Sequence, residues 1–387
     1  MVDISSDLCY GCGACQAICP SNTIVMQMET GFLRPKVVNE KCVNCNLCQQ
    51  VCPIDNHVLN GQTDELYIYK NTDIIREAST SGGAFSALCD FILHRKGTIY
   101  GAVFDNNFYV KHVRGETAHV IELMHGSKYL QSNMTDVFLN VKNDLKTGMP
   151  VLFSGTPCQN AALRNYLEIS RVSLENLILC DFICHGVPSP QIWRDYLDFL
   201  EMKVKSKTKS VNFRSKENGW HSPELRIEFE NGSILSLNEA KSPYYQLFYS
   251  NCMLRKSCHH CAFSSSSRIS DFTIADAWGV EKSFPSYDDN KGVSLILVNT
   301  DKARDILNEL EPNECLKSIS FSDIAQPHLS KPAKSSPKRD LFWNEYSRKG
   351  FKYILNKYGN YSIYRKLIKK MKRTIIKVLV LCHVRKN

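Results

Sequence analysis

The sequence predicts an α+β chain in three parts: a small cysteine-rich module, a larger mixed α/β domain and a basic amphipathic helix at the C-terminus. Three observations predict it. Eight of the 17 cysteines fall in the first 53 residues, in two runs that repeat each other at an offset of 33. From Leu66 to about Arg339, short apolar runs alternate with amphipathic ones, as strands alternate with helices. Residues 351–387 hold 11 Lys or Arg and no Asp or Glu, so the formal charge of +9 lies in the tail and the remainder is close to neutral. A near-neutral body argues against a broad nucleic-acid surface.

Cys9, Cys12, Cys15 and Cys19-Pro20 form the first run; Cys42, Cys45, Cys48 and Cys52-Pro53 form the second. Each reads C-x2-C-x2-C-x3-C-P, the ligand pattern of a bacterial two-cluster ferredoxin, in which the fourth cysteine of each run reaches the other cluster. The spacing therefore assigns Cys9, Cys12, Cys15 and Cys52 to one 4Fe–4S cluster, and Cys19, Cys42, Cys45 and Cys48 to a second. Small residues between the ligands (Gly11, Gly13, Ala14) let backbone N–H groups approach the cluster sulfurs. Disulfides fit poorly: the start of the chain has no apolar signal region and the chain reads as cytoplasmic. Zinc is usually held by two C-x2-C pairs rather than two runs of four. Between the runs, Thr23 to Val38 reads as two strands turning at Glu29-Thr30-Gly31. The module spans residues 1–56, and the polar stretch Ile54 to Asp64 is a linker.

The second domain, 65–340, opens with a strand at Leu66 to Tyr69. Ser79-Thr80-Ser81-Gly82-Gly83 then leads a helix over Ala84 to Arg95, with a strand at Thr98 to Phe104. A Ser/Gly turn opening a helix is either an anion site or a capped glycine turn. Gly126 to Ser132, polar around Tyr129, precedes a helix over Met134 to Lys146. The strand Pro150 to Ser154 runs into Gly155-Thr156-Pro157-Cys158 and a helix from Gln159 to Leu167. That puts Cys158 at a helix N-terminus, where the dipole lowers a thiol pKa; a buried structural cysteine is the alternative. Leu177 to Ile183 is a strand delivering Cys184-His185-Gly186, and His185 is either an acid–base group or a structural histidine. Cys180, inside the strand, is core.

Strands follow at Val211 to Arg214, Leu225 to Phe229 and Ile234 to Leu237, the last two joined at Asn231-Gly232. Cys252, Cys258 and Cys261 then stand close together, with His259 and His260 between. Three such cysteines suggest a metal site that lacks a local fourth ligand, so Cys158, Cys184 or a histidine would have to complete it. Asp271 to Ala275 is a strand ending in Asp276-Ala277-Trp278-Gly279, Val293 to Val298 is another, Asp301 to Leu310 is a helix, and Lys331 to Arg339 is a connector. In the tail, 351–387, apolar residues recur at helical spacing from Tyr361 to Val384 with lysines on the other faces. Such a helix lies on an anionic membrane surface or docks on protein.

Taken in order, Ser81-Gly82-Gly83, the Gly126 to Ser132 segment, Gly155-Thr156-Pro157-Cys158-Gln159, Cys184-His185-Gly186, Cys258-x2-Cys261 and Asp276-Ala277-Trp278-Gly279 resemble the coenzyme F(420) hydrogenase/dehydrogenase beta-subunit family. The likeness runs from about Cys9 to about Arg339 and leaves the tail outside; Ala277 stands where many relatives have Phe. The resemblance implies a flavin-binding domain and an FAD-dependent iron–sulfur oxidoreductase. Its clusters would exchange electrons with FAD and an organic two-electron substrate, the deazaflavin coenzyme or another small molecule. It implies flavin contacts at Ser81, Gly82, Gly83, Lys128, Tyr129, Gln131, Ser154, Gly155, Thr156 and Gln159; Cys158, Cys184 and His185, delivered into turns at strand ends, are the catalytic candidates. It leaves room for a third 4Fe–4S cluster at Cys258 and Cys261. The alternative is a non-catalytic electron-transfer subunit serving a partner enzyme, with the tail at the inner face of a membrane in an envelope or polysaccharide pathway. A ferredoxin or partner redox subunit is the expected protein partner, and nucleic acid is not.

Overall fold

The computed structural model describes residues 7–362, apart from 39–40, 58, 62–64, 135 and 311–314. The tail helix expected over Tyr361 to Val384 falls almost wholly outside these residues. So does part of the linker. Among the described residues no helix is long and apolar enough to cross a membrane.

The N-terminal module is built as its spacing requires. Two short helices, Ala14–Ile18 and Leu47–Gln50, follow the first cysteines of each run. The intervening segment forms strands β1 (Ile24–Glu29) and β2 (Phe32–Val37), paired antiparallel with Glu29 opposite Phe32. Gly11 and Gly13 have φ of +68° and +82°, the left-handed backbone that a tight ligand loop needs and glycine adopts freely.

The large domain is a nine-stranded mixed sheet. Its strands are β3 (Leu66–Tyr69), β4 (Thr98–Phe104), β5 (Val110–Gly115), β6 (Ser132–Asn133), β7 (Val151–Ser154), β8 (Leu177–Phe182), β12 (Phe272–Asp276), β13 (Ser294–Val298) and β14 (Leu316–Ile319). They lie in the order β14-β3-β13-β12-β8-β7-β4-β5-β6. Strands β4, β7, β8 and β12 are mutually parallel, and their near-continuous apolar runs are the mark of a sheet covered on both faces. Register sorts their side chains by face. Ile99, Leu152 and Ile178 are aligned and pack under helices Ala84–His94 and Asp301–Leu310. Tyr100, Phe153 and Leu179 face helices Val137–Lys146 and Pro157–Ile169. Ala14 and Val51 of the N-terminal module join this second layer, so the module is packed onto the sheet's helical cover.

A three-stranded antiparallel sheet, β9 (Thr208–Ser215), β10 (Glu224–Phe229) and β11 (Ile234–Asn238), forms a side layer with helices Pro190–Val204 and Pro243–Tyr249. Helices Arg339–Lys349 and Phe351–Lys357 complete it, with Phe342, Ile354 and Leu355 fully buried. The start of the 351–387 segment is thus docked on the body.

The parallel strands place the sequence motifs on one edge. The carboxyl ends of β3, β7, β8 and β12 deliver the Ser-Gly-Gly turn, Gly155-Thr156, Cys184-His185 and Trp278 to the same side, where ligands gather in open α/β sheets.

Candidate functional site

Twelve of the cysteines fall into three neighbouring sets of four. In the first, Cys9, Cys12, Cys15 and Cys52 are electrostatic neighbours. Burial pushes the Cys15 thiol up to about 12, and the adjacent Cys9 and Cys52 add to the shift. In the second, Cys19, Cys42, Cys45 and Cys48 line a single cavity with Thr23. Burial raises the Cys19 thiol, but hydrogen bonds from Thr23 (Oγ1 at 3.2 Å, N–H at 3.4 Å) outweigh it and bring the pKa to about 7. Cys52 lies among the neighbours of Cys12 and Cys15, and Cys19 lines the cavity of Cys42, Cys45 and Cys48.

The third set draws from three distant segments. Cys158 sits in the first turn of helix Pro157–Ile169, Cys184 follows β8, and Cys258 and Cys261 bracket the end of a 3-10 turn, Lys256–His260. Cys184 feels Cys258, Cys158 and Cys261, and Cys158 feels Cys261 and Cys258. The Val187 N–H donates to Cys258 Sγ at 3.3 Å, and Thr156 Oγ1 lies 3.2 Å from Cys158 Sγ. Apolar Ala161, Phe263, Ile269, Tyr10 and Leu59 pack around Cys158 and Cys261. Cys252, the first cysteine of the C-x5-C-x2-C run, stays out: it is buried and bonded to Ser336 Oγ at 3.3 Å. The helix dipole does not lower the Cys158 thiol as expected. Burial and the thiols of Cys261 and Cys258 push it well above the ordinary value.

Among the described residues no three His, Cys, Asp or Glu side chains close on a lone metal ion. Cys19, Cys42, Cys45 and Cys48 of the second set surround a cavity.

The first and third sets adjoin. Cys12 is among the charges felt by Cys158, and Arg255 faces Cys9, Cys258 and Cys158 together. The first and second sets adjoin through Cys48, which is felt by both Cys15 and Cys52.

The residues expected to contact flavin divide into two groups. Ser81, Gly82 and Gly83 form a turn docked on β13: Ser81 Oγ donates to Val293 O at 2.7 Å and Gly82 N–H to Ser294 Oγ at 2.9 Å. A Cβ on Gly82 would stand 2.2 Å from Tyr69 O, so only glycine fits. Tyr129 packs against Phe213 and Phe248, and its hydroxyl accepts from Arg214 Nη1 at 3.3 Å. Lys128 Nζ donates to the carbonyls of Met124, His125 and Gly126, and burial lowers its pKa to about 7. The other group is engaged elsewhere. Gln131 Nε2 donates to Gly11 O at 3.0 Å, on the N-terminal module. Gln159 closes a capping box with Thr156, and Ser154 O lies 2.9 Å from His112 Nε2. Gly155 N–H donates to Cys180 O at 3.1 Å. His185 is held through both ring nitrogens, by His328 at 2.8 Å and Asn251 at 2.9 Å, and burial lowers its pKa.

Two residues with no assigned role in the sequence complete the Ser81 region. Lys216 Nζ reaches Ser81 O at 3.4 Å and Lys291 O at 2.7 Å, with its pKa lowered to about 8 by burial and by Arg76. Arg214 is 7% exposed and lies over the Trp278 ring, which stacks on Trp220 at 4.7 Å. Its Nη2 stands 3.4 Å from Asp276 Oδ2 but is not aligned to bond, and its Nε has no partner either. The only sequence signal was the cationic pair Arg214 and Lys216 at a strand end.

Known proteins resemble this chain over two spans. Residues 148–323 match the family described as the C terminus of the coenzyme F420 hydrogenase/dehydrogenase beta subunit, and residues 8–56 match the 4Fe-4S dicluster domain. The resemblance read from the motifs is borne out over those spans. No curated protein matches the chain. One solved chain, from the xenon-derivatised F420-reducing [NiFe] hydrogenase complex of Methanosarcina barkeri, aligns with TM-score 0.46 and 15% identity over 81% of this chain and 93% of that one. A score that low does not establish a shared fold.

Proposed function

We propose that this chain is an iron–sulfur flavoprotein oxidoreductase that carries electrons along 4Fe–4S clusters to a flavin site and an organic two-electron substrate. The observation that carries the reading is the convergence of Cys158, Cys184, Cys258 and Cys261 beside the Cys12 loop, at the carboxyl edge of the sheet. Three adjoining sets of thiols form a path from the Cys19–Cys42–Cys45–Cys48 cavity, where Cys45 is exposed, to the domain interior. In this reading Cys158 and Cys184 are cluster ligands rather than acid–base groups. His185, held through both nitrogens, fixes the turn that presents Cys184.

The residues present fit an anionic cofactor such as FAD in one place. Buried Arg214 has Nε and Nη2 unbonded, an arrangement that is costly unless an acceptor arrives. Lys216 and the Ser81-Gly82-Gly83 turn adjoin it. Arg214 and Lys216 would bind and orient the cofactor's phosphates, and Trp278 would shield one side from water. A bound flavin supplies the exchange between one-electron and hydride chemistry. The family over residues 148–323 supports hydrogenase- or dehydrogenase-type redox work and makes the deazaflavin coenzyme a candidate substrate.

A second reading, an electron-transfer subunit without its own substrate, is favoured by exposed Val38 and Val43 beside the second cysteine set, which offer apolar surface to a partner. Anaerobic purification with quantification of iron, sulfide and flavin separates the readings. One FAD per chain with turnover of a small acceptor supports the enzyme. Clusters without flavin, even after FAD is added, support the electron-transfer reading.

A further inference from the structure

Four arginines among the described residues are deeply buried: Arg76, Arg214, Arg255 and Arg268. Arg76 is paired with Asp289, Arg268 with Asp181, and Arg214 stands beside Asp276. For Arg255, 1% exposed, no carboxylate pairs with it among the described residues. Its Nη1 donates to Cys9 O at 2.9 Å, its Nη2 donates to Leu33 O and to Gln131 Oε1, each at 2.6 Å, and its Nε is unbonded. The guanidinium lies 4.9 Å from the Phe32 ring centroid. Gly11 passes so close that an added Cβ would stand 2.5 Å from Nη2. The ionisable groups that face it are the thiols of Cys9, Cys258 and Cys158, and Arg34.

A fixed cation buried without a counter-ion is strongly unfavourable. The three bonds go to neutral oxygens, so they engage the donors but leave the charge without a counter-ion. The acceptors that would balance it are the ligand sets on either side. A 4Fe–4S cube held by four thiolates is an anion, and each electron it takes up adds a negative charge.

We propose that Arg255 is the internal counter-charge at the junction of the first and third cysteine sets. It is a positioning residue that clamps the N-terminal module to the large domain and favours reduction of the clusters it faces. The clamp is the three hydrogen bonds, shared with Gln131. The bias is electrostatic: a nearby positive charge stabilises the reduced, more negative cluster and raises its potential. The inference rests on the iron–sulfur reading of Cys158, Cys184, Cys258 and Cys261.

The test compares full-length wild-type protein, Arg255→Gln and Arg255→Lys, each purified without oxygen. Iron and sulfide are counted, and cluster midpoints are followed by electron paramagnetic resonance during titration with dithionite. Arg255→Gln should keep its iron but shift at least one midpoint to more negative potential. The expected size is a tenfold fall in the one-electron reduction equilibrium, or about 59 mV. Arg255→Lys, which keeps the charge, should stay near wild type, and the cluster at Cys19, Cys42, Cys45 and Cys48 should not move in either variant. Unchanged midpoints in an iron-replete Arg255→Gln protein would overturn the proposal. So would equal shifts in both variants, which would mark a purely structural clamp. If Arg255→Gln loses iron, Arg255→Lys decides alone: wild-type midpoints support the counter-charge and displaced ones reject it. A wild-type protein with only two clusters would defeat the reading of the third set, while the Arg255 comparison would still be made at the Cys9 cluster.

Discussion

The backbone N–H of Val187 donates to Cys258 Sγ at 3.3 Å, joining two turns that lie 71 residues apart in the chain. This bond ties the end of β8 to the 3-10 turn and brings Cys184 into the set with Cys158, Cys258 and Cys261. If these four thiols hold a cluster, Cys184→Ala removes one ligand and iron should fall by about four per chain. The resonances of the two N-terminal clusters should persist. Cys252→Ala is the matched control. Its thiol bonds Ser336 instead, so iron content should not change. Inductively coupled plasma analysis of both variants checks the pair.

Arg214 carries the flavin prediction. Replacing it with Gln removes the donors left unbonded at Nε and Nη2. FAD binding should weaken at least tenfold, about 1.4 kcal/mol or more, as expected for loss of a charged hydrogen bond. Fluorescence titration of flavin-depleted protein measures it; equal affinity would move the flavin away from Arg214.

His112 sets a pH window. Burial lowers its pKa from 6.5 to about 4, with Ser132 Oγ at 2.6 Å and Ser154 O at 2.9 Å holding the neutral ring. The unfolded chain binds the proton more readily, so stability from this group is complete above pH 6.5 and is lost as pH falls toward 4. The loss should reach about 3 kcal/mol. Urea midpoints between pH 7.5 and 4.5 should fall for wild type and fall less for His112→Gln.

Gly82 is required by space rather than by a left-handed backbone. An added Cβ would meet Tyr69 O at 2.2 Å and Ser294 N at 2.3 Å, both main-chain atoms where β3 ends and β13 begins. Gly82→Ala should cost about 2–4 kcal/mol and lower Tm by several degrees. Gly61→Ala, with nothing within 4 Å of the new Cβ, should be neutral. Thermal unfolding of both variants tests the contrast.

Much of this was legible in the sequence because the signals were local. The cysteine spacing marked the module that matches the 4Fe-4S dicluster domain over residues 8–56, and Ile24–Glu29 with Phe32–Val37, Leu66–Tyr69, Thr98–Phe104 and Asp301–Leu310 appear where periodicity and turn residues put them. Helix Pro157–Ile169 begins two residues earlier than expected because Pro157 suits the first helical turn and Thr156 with Gln159 caps it. Strands β5 and β14 went unseen, since Val110–Gly115 and Leu316–Ile319 carry charged residues in short runs. Helix Arg339–Lys349 is hidden for a similar reason: its buried contacts are few and its sequence mostly polar. The third cysteine set could be suspected but not closed, because its members come from three strand or turn ends that only tertiary packing joins. Arg214 and Arg255 carried no motif at all. What distinguishes them is burial and missing partners, which a sequence does not display.

The most direct test is the metal and flavin content of wild-type protein prepared without oxygen. About twelve irons with matching sulfide and one FAD per chain are expected, from three clusters and one flavin site. About eight irons with no flavin, even after reconstitution with FAD, would contradict the account and leave a two-cluster electron carrier.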